Sequence, residues 1–129
     1  MNPPEHLPLI KGEIADYYYD PVGILYSYSK NIKRTVENIT GNIALVKQIT
    51  GNRKVPLLIY LAKSPVPDKA TRQFSGEQVP EVYTAMAMVS KPGLSALIMK
   101  LVFAMKTPPI PMKSFTDDAV AREWLMQYV

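Results

Sequence analysis

The chain has no cysteine, and its single histidine is His6. The first absence excludes disulfides, thiolate nucleophiles and thiolate metal sites. The second leaves any zinc ion to carboxylates, which are not its usual ligands. It also weakens the case for a Ser-His-acid triad, because His6 sits among prolines in the N-terminal segment. No GxGxxG or GxxxxGK[ST] loop occurs to cradle a phosphate. Long apolar runs are also missing. The longest, residues 55–62 and 96–105, fall short of the roughly 20 residues that cross a bilayer. The opening Met1-Asn2-Pro3-Pro4-Glu5-His6 lacks a basic stretch followed by an apolar one, the pattern of a secretion signal. Together these absences predict a cytoplasmic protein with no membrane span, no metal, no cofactor and no catalytic residues, hence not an enzyme.

What is present suits one folded domain. The chain has 129 residues, 47% hydrophobic and 20% charged. A domain of that size buries roughly two-thirds of the surface its unfolded chain exposes and needs no staple. The net charge is +4. Part of it gathers at Lys30, Lys33 and Arg34 and part at Arg53 and Lys54. Without a denser basic stripe or a binding motif, these read as solvated surface at element ends, and nucleic acid is not an expected partner.

Residues 1–11 read as a proline-rich arm and residues 12–129 as the domain. Residues 12–19 read as a strand ending in three tyrosines, which sheet packing explains better than a pocket. Asp20-Pro21-Val22-Gly23 has the chemistry of a tight turn, and residues 24–28 follow as the second strand of a hairpin. Its alternation places Ile24, Tyr26 and Tyr28 on one face. The period then becomes helical, with Val36, Ile39, Ile43 and Val46 recurring, Thr35 as N-cap and Gly51 as the stop. Residues 55–62 form a continuous apolar run, as in a strand covered on both faces. Residues 68–82 read as a polar helix broken by Gly76 and Pro80. A strand over residues 84–90 and an apolar helix over residues 93–105 come next. Prolines 108, 109 and 111 stop that helix. Residues 112–115 form a last strand. Thr116 is the expected cap of a last helix whose apolar side holds Val120, Ala121, Trp124, Leu125 and Tyr128. Trp124 is therefore expected to be largely buried. The order β-β-α-β-α-β-α-β-α predicts a single α/β domain, an N-terminal β-hairpin joined to a mostly parallel sheet with about four helices.

Open parallel sheets place their sites beyond the C-terminal ends of strands. The candidate here is the loop after the central strand, with Lys63 and Ser64, and the segment that follows, with Asp68, Lys69, Thr71 and Arg72. The plain alternative is a polar loop and an exposed helix face. Asp117 and Asp118 are adjacent carboxylates that do not share a helix face, and a helix start explains them better than catalysis.

The order of elements resembles the STAS fold of anti-sigma-factor antagonists, in its SpoIIAA-like branch. Lys106-Thr107-Pro108-Pro109-Ile110-Pro111-Met112-Lys113-Ser114-Phe115 and the ending Thr116-Asp117-Asp118-Ala119 with Trp124-Leu125 carry the likeness. In that branch a Phe ends the last strand and a Trp-Leu pair lies in the last helix. The resemblance implies a non-enzymatic regulatory module with a protein partner. It also leaves room for a binder of a small apolar ligand or lipid, because the branch resembles some lipid-transfer domains in fold. Homo-oligomers are compatible with either reading. Antagonists of the family carry a phosphorylated serine in an Asp-Ser-Ser-Gly-like motif. The corresponding loop here reads Leu61-Ala62-Lys63-Ser64-Pro65-Val66-Pro67, so Ser64 has the position without the motif.

Overall fold

The computed structural model describes residues 7–91 and 108–129. Their strands are β1 (Ile10–Lys11), β2 (Ala15–Tyr19), β3 (Leu25–Ser29), β4 (Val55–Tyr60), β5 (Tyr83–Val89) and β6 (Met112–Phe115). The helices are α1 (Val36–Thr50), α2 (Lys69–Val82) and α3 (Asp118–Leu125), the last running into a 3-10 turn, Met126–Tyr128. The helix expected over residues 93–105 lies outside the described residues, as does His6. The strands form one sheet in the order β1-β2-β3-β4-β5-β6. Its first two pairings are antiparallel and its last three parallel. This is the expected α/β architecture, with three helices among the described residues.

Local chemistry explains most element ends. At the hairpin turn the Gly23 amide donates to the Asp20 carbonyl (2.9 Å) and the Val22 amide to the Asp20 carboxylate (2.7 Å). Gly23 takes φ +109°, a conformation that side chains resist. Thr35 caps α1 by accepting from the Asn38 amide, and Asn38 accepts from the Thr35 amide in return. Gly51 closes α1 in the left-handed conformation.

The sheet separates two apolar layers. On one face Leu25, Leu57, Val55 and Tyr17 pack under α1 and α2 through Val46, Val79 and Val82. On the other, Ile24, Tyr26, Leu58, Tyr60, Ala85, Ala87 and Val89 pack under α3 through Ala121 and Leu125. Tyr17 and Tyr18 point to opposite faces and both are buried.

The end of the N-terminal arm is tied to the sheet edge, where Ile10 and Lys11 pair with Tyr17 and Asp16. Three expectations need correction. The strand expected from residue 12 begins at Ala15; residues 12–14 turn instead, and a Cβ on Gly12 would stand 2.5 Å from the Ala15 carbonyl oxygen. Helix α2 runs unbroken through Gly76 and Pro80. Pro80 lies in the last turn, so its missing N–H removes one ladder bond just before the helix ends. Packing of Val79 and Val82 on the sheet holds that end. The cap of α3 is Asp117, whose carboxylate accepts from the Ala119 amide (2.9 Å), and not Thr116. Ala121 and Leu125 are fully buried, Trp124 is half-buried and Val120 is exposed.

Candidate functional site

Strands β3, β4, β5 and β6 run the same way, so their C-terminal ends share one edge of the domain. The chain leaves β4 through Leu61, whose amide donates to the Val89 carbonyl (2.9 Å). It then crosses the surface as far as Asp68. Lys63 is exposed and Ser64 half-buried, and Val66 keeps 53% of its surface in solvent. Asp68 is the N-cap of α2, accepting from the Thr71 amide (2.8 Å). Thr71 is buried, while Lys69 and Arg72 are exposed. The Arg72 guanidinium folds back and donates to the Pro67 carbonyl (2.8 Å). The six residues singled out in the sequence thus divide. Asp68, Thr71 and Arg72 hold the loop to the start of α2, whereas Lys63 and Lys69 face outward and Ser64 is half-buried.

The neighbouring loop, between β3 and α1, adds residues that sequence spacing could not join to these. The Asp68 carboxyl is held below its usual range, first by the Thr71 backbone N–H and further by Lys33 and Arg72 beside it. Lys33 belongs to the β3–α1 loop, so pairing β3 with β4 brings the two loops together. Ile32 and Val36, 36% and 44% exposed, flank Lys33 and Arg34. The basic group at residues 30–34 is only partly the solvated surface expected. Arg34 is half-buried and donates to the carbonyls of Lys30, Ile32 and Ile14. Lys30 pairs with Asp16 (3.1 Å) and donates to the Gly12 carbonyl (2.6 Å). These two residues brace the loop, and Lys33 is left to project from it.

A tyrosine cluster lies on the other face. The Tyr28 and Tyr60 rings stack with centroids 4.4 Å apart, and Tyr18 meets Tyr28 edge-on. The Tyr60 hydroxyl donates to the Asp118 carboxylate (2.9 Å). Burial above all, with that carboxylate beside it, pushes the Tyr60 hydroxyl well up. Asp117 caps α3 and Asp118 holds Tyr60, so neither carboxylate has the other as a working partner. Among the described residues, two open clefts stand out. One of about 340 Å³ lies beside Ser114, Phe115, Thr116, Asp117 and Val120. The other, about 280 Å³, lies between α1 and α2 beside Ile43, Ala44, Lys47 and Phe74. Among the described residues no group of three His, Asp or Glu side chains could hold a metal ion, and no helix is long and apolar enough to cross a membrane.

A family model described as a domain of unknown function, DUF7793, matches residues 17–129. The chain belongs to that family. None of the curated proteins matches this DUF7793 chain in sequence. Among solved structures it is similar to an uncharacterized protein of the DUF3478 family from Shewanella loihica PV-4, which has a SpoIIAA-like fold. The two are 16% identical, the match covers 92% of this chain and 91% of that one, and the TM-score is 0.57. At that identity the likeness establishes the fold: the DUF7793 chain is SpoIIAA-like, as the close of its sequence led one to expect.

Proposed function

We propose that the protein is a non-enzymatic regulatory or protein-interaction module of STAS-like type, working in the cytoplasm, whose contact surface includes residues 63–72. One observation carries this reading. Helices α1 and α2 pack side by side on the same face of the sheet, and the strands follow one another without a reversal of order. Small-molecule sites in open α/β sheets use the crevice that opens where strand order reverses. A run of consecutive strands instead ends in a continuous outer surface, which suits a macromolecular partner. The loop on that surface is anchored at both ends, by Leu61 and by Asp68 with Arg72, so little ordering cost accompanies docking. Phosphorylation of Ser64 would add about −1.5 to −2 charges beside Lys63 and alter a partner's affinity.

The test begins with a photo-crosslinking residue in place of Val66 and, as a control, of Lys54 beyond the opposite end of the sheet. Crosslinking in native lysate at residue 66 and not at 54, followed by weaker binding of that partner to Ser64→Asp or Arg72→Ala, is the expected result. Unchanged affinity in Ser64→Asp, Ser64→Ala and Arg72→Ala counts against this surface. The cleft between α1 and α2 favours a second reading, a small apolar ligand or lipid. Its volume is near the lower end of small-molecule sites. Mass spectrometry of the purified protein finding one stoichiometric lipid would move that reading ahead.

A further inference from the structure

The chemistry at the joined loops narrows the kind of partner that fits. Lys63, Lys69 and Arg72 face solvent from the β4–α2 side and Lys33 from the β3–α1 side. Of the nearby carboxylates, Asp16 is engaged by Lys30 and Asp68 by the Thr71 amide, while Glu37 in the first turn of α1 is exposed beside Val36. Among the described residues none of the four cations forms an ion pair. The N-termini of α1 and α2 both end here, which adds to the positive potential. The same two loops expose the aliphatic side chains of Ile32, Val36 and Val66.

We propose that these two loops dock an acidic, amphipathic segment of a partner protein. Its carboxylates would meet Lys33, Lys63, Lys69 and Arg72, and its apolar side chains Ile32, Val36 and Val66. This deepens the interaction reading above and rests on it. The cations steer the encounter, and the aliphatic side chains supply the area that is removed from water. A nucleic acid fits less well, because the exposed side chains here include no aromatic ring on which a base could stack. An anionic membrane also fits less well. The apolar side chains are short valines and an isoleucine in place of the Trp, Phe or Leu that enter the acyl boundary.

The test uses the full chain and a short fluorescein-labelled peptide of glutamate and leucine, followed by fluorescence anisotropy. Binding should saturate and weaken between about 50 and 200 mM salt, as solvent-exposed charge interactions are screened. The double variant Lys33→Glu with Lys69→Glu should bind about tenfold more weakly, whereas Lys54→Glu should match the wild type. Lys69→Glu places a carboxylate in the first turn of α2, where the helix favours it, so the fold should persist. The pair Lys33→Gln with Lys69→Gln, with circular dichroism on every variant, separates lost charge from lost structure. The proposal is overturned by no binding of the peptide or by binding unchanged in both double variants. Tighter binding to phosphatidylserine vesicles or to single-stranded DNA also overturns it. A native partner that crosslinks at residue 66 yet ignores salt and both double variants would remove the acidic segment and leave the interaction reading standing. Crosslinking confined to residue 54 would remove both.

Discussion

Leu125→Ala should destabilise the protein more than Trp124→Ala, although tryptophan is the larger residue. Leu125 is fully buried beneath α3, against Leu58, Ala85 and Val89 of the sheet face. The substitution removes about three methylene equivalents at about 0.8 kcal/mol each, about 2.4 kcal/mol of transfer free energy. The hole it leaves adds about 1 kcal/mol, because a packed sheet closes only partly around it. Trp124 is half-buried and touches Phe115 and Tyr128 with ring centroids 5.8 and 5.1 Å away. Water already reaches part of the indole, so its removal should cost about 2 kcal/mol, below the range for fully buried rings. For a chain of this length about 1 kcal/mol moves Tm by about 4 °C, giving shifts of about 14 °C and about 8 °C. Differential scanning calorimetry at neutral pH measures both. Equal shifts, or the reverse order, would mean that the indole and not the leucine docks α3, and the assignment of its faces would be wrong.

Two further predictions concern titration. Asp68 has a folded pKa below its unfolded value near 3.9, so its contribution is present above that value and is lost as pH falls through the folded pKa. Asp68→Ala should therefore lower Tm at pH 7, and the gap to wild type should close on acidification below about pH 4; a gap that stays constant across this range would argue against the cap. Burial pushes Tyr17, Tyr60 and Tyr83 above the usual tyrosine value. Ultraviolet titration should leave these three protonated while the fold persists. They contribute stability that is lost as pH rises above about 10, so their ionisation should coincide with alkaline unfolding. Release of all eight tyrosine protons near pH 10 with an intact circular dichroism spectrum would contradict their burial.

Elements fixed by local chemistry were legible in the sequence. Asp20, Pro21 and Gly23 marked the hairpin turn, Thr35 and Gly51 the ends of α1, and residues 112–115 the last strand. Features settled by neighbours distant in sequence were not. Nothing within residues 68–82 says that sheet packing at Val79 and Val82 outweighs Gly76 and Pro80. The cap at α3 depended on a choice between Thr116 and Asp117, adjacent residues that both cap helices well. At the candidate site, Lys63, Ser64 and Lys69 could be found from position alone. Lys33, Ile32 and Val36 could not, because only the pairing of β3 with β4 brings their loop beside Asp68. An aspartate followed three residues later by threonine at the head of a helix was the overlooked sign that Asp68 is a cap.

The consecutive strand order bears on how the chain assembles. Each strand hydrogen-bonds to the strand just before it in sequence, so no segment has to wait for a distant later one to complete a central position in the sheet. The β1-β2-β3 meander closes through short turns, and each parallel strand then adds to an edge already formed. The parallel pairings still join distant residues, Leu25 with Leu57 and Met86 with Met112, so each addition is slower than closing a hairpin. The consecutive order permits growth in the direction of synthesis, with a growing edge bare until the next strand arrives. Of the described elements, β6 and α3 arrive last, and until they do β5 offers unpaired backbone groups to any other chain nearby. Aggregation during synthesis should therefore be most sensitive to substitutions at residues 108–125, whatever their effect on the finished fold.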